Sequence, residues 1–137
     1  MRLLMFDAEY IKYIPTKKGW KGGDEVEIKE VELKDVVLCF IHAEKEDSEN
    51  RTKKVNKLLK NIKWLCGKLD RKRVVLHSFA HLGESKAEPG FVKELLNEIE
   101  ERLKSVGYEV HQTPFGWFLD FESKWIGHPL GRIYKEF

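Results

Sequence analysis

The sequence predicts a single α/β domain in which two main helices pack against one mixed β-sheet. Residues 50–69 and 89–106 show the three-four spacing of apolar residues that is typical of amphipathic helices. Residues 36–41 form a continuous apolar run, and residues 74–79 begin as one, as in strands that are buried on both faces. Because strands and helices alternate along the chain, a layered α/β architecture over residues 1–137 follows.

The first part of the chain predicts strands on either side of a basic, turn-rich tip. Residues 1–8 indicate an opening strand, which residues 9–14 can extend. The tip, residues 15–23, holds three lysines and Trp20, and it is either a solvated hairpin end or a flap over RNA. Apolar and polar residues alternate over residues 24–33, but the phase of the pair Val26 and Ile28 differs from that of Val31 and Leu33. A bulge or tight turn between the two pairs would keep both of them inward.

The first predicted helix has a basic outer face. The helix begins near Ser48 or Asn50, either of which is a good N-terminal cap. Residues 51–69 include seven basic residues and no acidic one. At about 100° per residue, Trp64 lies opposite the apolar stripe, surrounded by lysines.

Two interpretations of this basic face remain open. Like charges three and four residues apart destabilise a helix by roughly 0.2–0.5 kcal/mol per pair, so a clustered set calls for an explanation. In the first interpretation the face contacts RNA or forms a subunit interface. In the second it is a solvated surface on which the Trp64 ring lies flat. The residues of the first interpretation are Lys53, Lys57, Lys60 and Trp64.

The second half of the chain predicts a helix followed by a strand pair. The helix begins near Pro89, whose missing N–H costs little in a first turn, and Gly107 suits the left-handed position after its end. Residues 108–113 and 117–123 read as two strands that a Pro-Phe-Gly turn joins into a hairpin. Residues 127–137 indicate a short final turn or helix.

Composition excludes several classes of protein. The net charge is +2, and no apolar run approaches the roughly 20 residues that a membrane span needs. No secretory signal is visible, and Cys39 and Cys66 lie in apolar stretches, so we expect reduced core thiols in a cytoplasmic protein. The chain contains no phosphate-binding glycine loop, Cys-x-x-Cys, His-Glu-x-x-His or Gly-x-Ser-x-Gly motif. No metal and no cofactor is predicted.

A candidate site lies where the predicted strand at residues 74–79 ends. The apolar run there changes abruptly to polar and aromatic residues, with His77, Ser78 and His81 close together. Open α/β sheets place their ligands at the ends of such strands. We interpret His77, which is still within the strand, as a packed core residue.

Four motifs resemble a known family. They are Phe79-Ala80-His81-Leu82 with Pro89 seven residues later, Pro114-Phe115-Gly116-Trp117-Phe118, Gly127-His128-Pro129-Leu130, and the opening Met-Arg-Leu-Leu-Met-Phe-Asp-Ala-Glu-Tyr. In this order and spacing they resemble the N-terminal editing domain of archaeal threonyl-tRNA synthetase. The resemblance covers residues 1 to about 130.

The resemblance implies a fold and a function. The family has the D-aminoacyl-tRNA deacylase-like fold, its members are typically dimers, and it removes serine wrongly attached to threonine tRNA. The expected partners are the aminoacylated 3′ end of a tRNA, threonyl-tRNA synthetase and a second copy of the chain. The synthetase domains are absent, so the chain is either an excised domain or a free-standing relative, and its natural-looking end at Phe137 favours the expectation of a free-standing relative.

The resemblance also implies the site residues. Ala80 and His81 would hold the adenosine and the aminoacyl group, with His81 positioning substrate or water. Phe115, Gly116, Trp117 and Phe118 would form another wall. For His81 a role in capping the strand end is the alternative, Trp117 and Phe118 are equally interpretable as core, and His128 is better interpreted as structural.

Two departures from the family pattern put activity in doubt. A functional lysine of the family is Leu119 here, and an acid after the Gly-His-Pro-Leu motif is Arg132. Lys124 or Lys86 is a candidate to supply the missing charge. The sequence therefore leaves two alternatives, an active deacylase and a non-catalytic module that binds a tRNA end or a synthetase.

Overall fold

A computed structural model describes all 137 residues as a mixed six-stranded sheet with two helices. The strands and helices are β1 (Arg2–Lys18), β2 (Val31–His42), α1 (Arg51–Leu69), β3 (Arg73–Ser78), α2 (Pro89–Ser105), β4 (Glu109–Gln112), β5 (Trp117–Trp125) and β6 (Arg132–Glu136). A 3-10 helix, Lys45–Asn50, precedes α1. The predicted fold class is confirmed.

The sheet has a parallel half and an antiparallel half. Its strand order is β4-β3-β2-β1-β5, and β6 shares with β5 the outer edge of β1. Strands β2, β3 and β4 run parallel, and α1 and α2 form the crossovers that parallel neighbours require. Strand β1 runs antiparallel to β2, β5 and β6.

Strand β1 organises the antiparallel half. One of its edges pairs with β2 from Arg2 to Tyr13. Its other edge pairs first with β6, from Arg2 to Phe6, and then with β5, from Ala8 to Lys18. Register shifts between Ala8 and Tyr10 and between Pro15 and Lys17 mark irregularities along the β5 pairing. Both ends of the chain and the basic tip are therefore attached to one strand.

Two predictions about the C-terminal half were wrong. Strands β4 and β5 form no hairpin, because β4 pairs with β3 and β5 pairs with β1 at the opposite end of the sheet order. The Pro-Phe-Gly motif is thus a crossing connection. The end of the chain contains the strand β6, where a turn or helix was expected.

The prediction for residues 24–30 was also wrong. This segment has no regular secondary structure, and Val26 and Ile28 are 36% and 63% exposed. Only Val31 and Leu33 of the alternating set lie in a strand, where they pack against the face of the sheet away from the helices.

Both helices bury the predicted stripes. Asn50 occupies the N-cap position of α1, and α2 starts with Pro89 in its first turn. Gly107 has a φ of 96°, the left-handed conformation expected after the helix. Val106 was expected in the buried stripe but is 56% exposed, because α2 ends one residue before it.

The two faces of the sheet are packed differently. The helices cover one face and form with it a cluster of 22 buried residues. The opposite face carries a cluster of seven buried residues and is lined by aromatic side chains, with Trp125 stacked on Phe6 at 3.9 Å and Phe40 edge-on to Phe6 at 5.3 Å. No helix covers this second face, so it is the more accessible side of the sheet.

The two cysteines are free and buried, as predicted. Burial raises the pKa of the Cys66 thiol to about 12 and also raises that of Cys39 well above its ordinary value. Both side chains therefore pack as small apolar groups. No helix combines the length and the apolar character that crossing a bilayer would require.

A buried carboxylate attaches the Gly-His-Pro-Leu motif to β1. Asp7, 4% exposed, accepts hydrogen bonds from the Arg71 guanidinium at 3.3 Å and from His128 Nε2 at 2.8 Å. His128 Nδ1 accepts the Leu130 N–H at 3.1 Å, so the proton of the neutral ring lies on Nε2 and is donated to Asp7. This geometry agrees with the structural interpretation of His128.

We predict that His128→Ala lowers the free energy of unfolding by about 1–3 kcal/mol, because the variant leaves a buried carboxylate short of one donor. His111→Ala is the matched control. His111 is a histidine with a 38% exposed side chain, and its contact with Glu109 is worth about 0–1 kcal/mol. Urea unfolding of both variants measures the difference. Equal losses would contradict this role of His128.

Candidate functional site

An open cavity of about 390 Å³ lies at the carboxyl end of β3. Its wall comes from the end of β3, the turn that follows, the start of α2, the β4–β5 connection and the β1 tip. No charged side chain lines it. The lining residues are Gly19, Trp20, His77, Ser78, Ala80, Pro89, Thr113, Pro114, Phe115, Gly116, Trp117 and Phe118.

The cavity brings together five of the six residues that the sequence predicted for the substrate pocket. Ala80 is distant from the Phe115–Phe118 stretch in sequence, but it lines the same cavity. Within that stretch Phe115 is 7% exposed and Phe118 is 62% exposed. Phe115 is therefore part of the core, whereas the Phe118 ring is open to solvent at the rim.

His81, the sixth residue, does not line the cavity. It lies exposed in the turn after β3, and its ring is 5.3 Å from the Phe79 ring in an edge-on contact. The turn is fixed from behind by His42, a fully buried residue. Its Nδ1 accepts the Leu82 N–H at 3.0 Å, and its Nε2 contacts the Ser85 carbonyl at 2.6 Å.

The β1 tip closes one wall of the cavity by backbone hydrogen bonds. The Gly116 carbonyl accepts the Gly19 N–H at 2.7 Å and the Trp20 N–H at 3.1 Å. The Asp24 N–H donates to the Phe115 carbonyl at 2.9 Å. The Trp20 ring packs edge-on against the Phe115 ring at 5.7 Å. The tip is thus a structural wall of the cavity.

Asp24 holds the aromatic wall in place. Its carboxylate accepts the Phe115 N–H at 3.0 Å and a hydrogen bond from Lys93 at 3.3 Å. Its backbone carbonyl accepts the Trp117 indole N–H at 2.7 Å. Since the indole nitrogen is already bonded, Trp117 offers a ligand only its ring.

His77 is half-buried and lines the cavity, so its interpretation as a packed core residue was incomplete. Its Nδ1 lies 2.8 Å from Thr113 Oγ1. Burial lowers the pKa of His77 to about 4, so its ring is neutral at pH 7. The sequence marked this residue by the change from apolar to polar at the strand end, but only the sheet pairing brings Thr113 beside it.

The structure gives no replacement for the family's lysine. Leu119 and Phe121 pack against the sheet face away from the helices. Lys124 forms an ion pair with Glu9 at 2.9 Å, and Lys86 lines a separate cavity of about 690 Å³. Arg132 is exposed in β6.

Two other lysines lie near the aromatic wall, and each is paired with a carboxylate. The Lys18 ammonium lies 5.7 Å from the Trp117 ring and 2.9 Å from Glu25. Lys93 lies 5.8 Å from the Phe115 ring and bonds to Asp24. The cavity itself therefore remains uncharged.

The basic face of α1 lies outside the cavity. Trp64 is 39% exposed, and the Lys135 ammonium lies 5.4 Å from its ring. Lys57 lies 5.9 Å from the Phe137 ring. Lys53 and Lys60 are exposed and form no ion pair. This face is thus a cationic surface with aromatic residues, separate from the cavity.

Comparison with known proteins identifies relatives over the whole chain. The family model described as the archaea-specific editing domain of threonyl-tRNA synthetase matches residues 1–137. Threonine–tRNA ligases of Thermococcus kodakarensis and Methanopyrus kandleri are each 34% identical to 98% of the chain, and that of Pyrococcus horikoshii is 32% identical. The chain spans 22% of the length of each of these relatives.

A solved structure supports the fold. The c-Myc DNA unwinding element binding protein matches with a TM-score of 0.68 over 99% of this chain and 98% of its own, at 10% identity. At that identity the match shows the fold alone, which is D-aminoacyl-tRNA deacylase-like, as predicted.

We predict that Gly116→Ala destabilises the protein by about 1–3 kcal/mol. Gly116 has a φ of 80°, and an added Cβ would lie 2.8 Å from the Gly23 Cα. Gly67→Ala in α1 is the matched control, because nothing lies within 4 Å of its Cβ position, and it should stabilise by about 0.5–1 kcal/mol. Thermal unfolding compares the two variants. Changes in stability of opposite sign would support the close approach of the β1 tip to the Gly116 wall. Stabilisation of both variants would contradict it.

Proposed function

The chain belongs to the family of archaea-specific editing domains of threonyl-tRNA synthetase, and we propose that it hydrolyses the ester bond of mischarged tRNA. The proposed substrates are seryl-tRNA and D-aminoacyl-tRNA. The proposed role is proofreading of threonyl-tRNA synthesis.

The chemistry of threonine selection supports a separate hydrolytic site. Serine lacks one methyl group of threonine, and a difference of that size discriminates by only about 1–3 kcal/mol. A synthetic site that prefers threonine therefore still accepts some serine. A second site that hydrolyses the smaller product removes the error.

The observation that carries the proposal is the uncharged cavity between Ala80 and the aromatic wall at the end of β3. A nucleoside base stacks on aromatic rings, and such stacking is worth about 1–3 kcal/mol per base. The exposed ring of Phe118 and the face of Trp117 are the surfaces available for this contact. The acylated 3′ adenosine of a tRNA would thus bind by stacking and shape.

Hydrolysis in this cavity needs a positioned water and donors to the developing oxyanion. Backbone N–H groups near Ala80, the 2′-hydroxyl of the terminal adenosine and a histidine can supply these groups. In the proposal His81 approaches the substrate from the exposed turn and positions substrate or water. No metal and no covalent intermediate is part of this mechanism.

The proposal includes partners and a cellular location. The α1 face, with Lys53, Lys57, Lys60 and Trp64, would contact the phosphate backbone of the tRNA body. Threonyl-tRNA synthetase is the proposed source of the mischarged tRNA. We further propose a homodimer and a cytoplasmic protein, in agreement with the free, buried thiols.

The second candidate function is a non-catalytic module that binds a tRNA end or a synthetase. Leu119 favours it, because an apolar side chain occupies the position of the family's lysine. This candidate predicts salt-sensitive RNA binding without turnover.

Deacylation of purified aminoacyl-tRNAs separates the two candidates. The protein is incubated with seryl-, threonyl- and D-aminoacyl-tRNA, and ester loss is compared with a protein-free blank. We expect accelerated loss of the seryl or the D-aminoacyl ester. Binding with ester loss at the blank rate for every substrate would instead support the non-catalytic module.

We predict that Leu119→Lys increases deacylation about tenfold or more, because it restores a cation that stabilises developing negative charge. Asp120→Lys is the matched control. It places the same side chain on the next residue, which is exposed on the opposite face of β5. Single-turnover rates of both variants give the comparison. An equal increase in both would indicate a general charge effect.

We predict that changing Lys53, Lys57 and Lys60 to Gln weakens tRNA binding and lowers the salt slope of log affinity by about 2–3, since three phosphate contacts are lost. The control changes Lys29, Lys104 and Lys124, which are paired with carboxylates, to Gln. Filter binding across a salt series measures both slopes. Identical slopes would exclude RNA contact through the α1 face.

A further inference from the structure

His77 is the titratable residue that lines the cavity. It is the penultimate residue of β3, in register with Phe40 on β2. Three aromatic rings surround its imidazole, at centroid distances of 4.9 Å for Phe40, 5.6 Å for Phe121 and 6.1 Å for Phe79. These rings fix the plane of the imidazole by packing.

The two nitrogens of His77 have different environments. Nδ1 lies at hydrogen-bond distance, 2.8 Å, from the hydroxyl of Thr113, itself a 5% exposed cavity residue. Nε2 has no partner within the protein. The fully buried unpartnered side-chain atoms are Arg2 Nε and Arg51 Nη1, so His77 Nε2 retains some accessible surface. One nitrogen is therefore held and the other is available to a ligand.

We propose that His77, oriented by Thr113, is a catalytic residue of this cavity and acts on the water that hydrolyses the aminoacyl ester. This inference rests on the proposed deacylase function and assigns a residue that the family resemblance did not. His77 Nδ1–H donates to Thr113 Oγ1, and the Nε2 lone pair accepts a hydrogen bond from the water.

The proposed step conserves atoms and charge. The water oxygen forms a bond to the ester carbonyl carbon while its proton moves to His77 Nε2. The tetrahedral intermediate then collapses, and the bond between the carbonyl carbon and the ribose oxygen breaks. The ribose oxygen takes the proton from Nε2, which leaves a free amino acid, a tRNA with a 3′-terminal hydroxyl and a neutral imidazole.

The surroundings of His77 keep its resting imidazole neutral, with a lone pair on one nitrogen. The side chains packed around it are Phe40, Phe79, Phe121 and Thr113, none of which carries a charge. The next titratable groups are His81, beyond the Phe79 ring, and Tyr13, which stacks on the far side of the Phe121 ring. Burial lowers the pKa of His77 to about 4, so its lone pair is unprotonated throughout the physiological range.

The first test compares single-turnover deacylation of seryl-tRNA by variants. His77→Phe keeps the aromatic packing and removes both nitrogens, and we expect a rate loss of about 10²–10³-fold. Thr113→Val removes only the orienting hydroxyl, and we expect a loss of about tenfold. His111→Gln, at a half-buried position of β4 outside the cavity, is the control and should retain the parent rate.

The second test is the pH profile of the parent protein, corrected for the uncatalysed rate. Protonation removes the lone pair of a histidine only below its pKa. With a pKa of about 4 the rate should stay level from pH 7.5 to 5.5, whereas a base titrating near 6.5 would lose about tenfold over that range. A tenfold fall would overturn the assignment of His77.

A binding measurement separates failure of this inference from failure of the proposed function. Imidazole ¹⁵N NMR of the parent follows His77 Nε2 while a non-hydrolysable 3′-seryl-aminoadenosine is added. An active parent with unaffected His77→Phe and Thr113→Val variants overturns the inference and leaves the deacylase function intact. A parent protein without deacylase activity would contradict the proposed function. If the ¹⁵N resonance of His77 Nε2 also does not shift when the analogue is added, His77 does not contact the ligand either. If His77→Phe does not fold, the shift of the Nε2 resonance in the parent protein tests the His77 contact instead.

Discussion

The pairing of β1 along both of its edges is the constraint on which the rest of the molecule depends. A long strand has a row of N–H and C=O groups on each side, and buried groups of this kind must find partners. Here β2 satisfies one side, and β6 and β5 divide the other. The buried carboxylate of Asp7 then ties the Gly-His-Pro-Leu segment, which lies between β5 and β6, to this strand.

The cavity follows from that arrangement. Because β1 extends to Lys18, its tip reaches the connection that leaves β4, and the tip is held there by the Gly116 carbonyl and by Asp24. The close approach is possible because Gly23 and Gly116 have no side chains. The tip of β1 and the connection that leaves β4, two strands that are not neighbours in the sheet, thus enclose one space at the end of β3.

Charge is distributed unevenly between the cavity and the outer surface. The cavity wall is aromatic, aliphatic and neutral, whereas α1 presents lysines and an exposed Trp64 to solvent. In the proposed function the outer surface attracts the polyanion and the cavity selects the acylated nucleoside by shape and hydrogen bonding. His77 belongs to the second task, because burial keeps it neutral.

The sequence by itself determined the fold class, both helices, the central strands and most of the cavity wall. The spacing of apolar residues predicts which side of each helix or strand is buried. The Pro-Phe-Gly and Phe-Ala-His motifs contain most of the residues that were predicted for the cavity wall. Tertiary structure alone decided which strands are neighbours, since β4 and β5 adjoin in sequence yet pair with different strands. It also decided that Thr113 meets His77 and that His81 stays outside, because such contacts depend on sheet order, which local spacing does not encode.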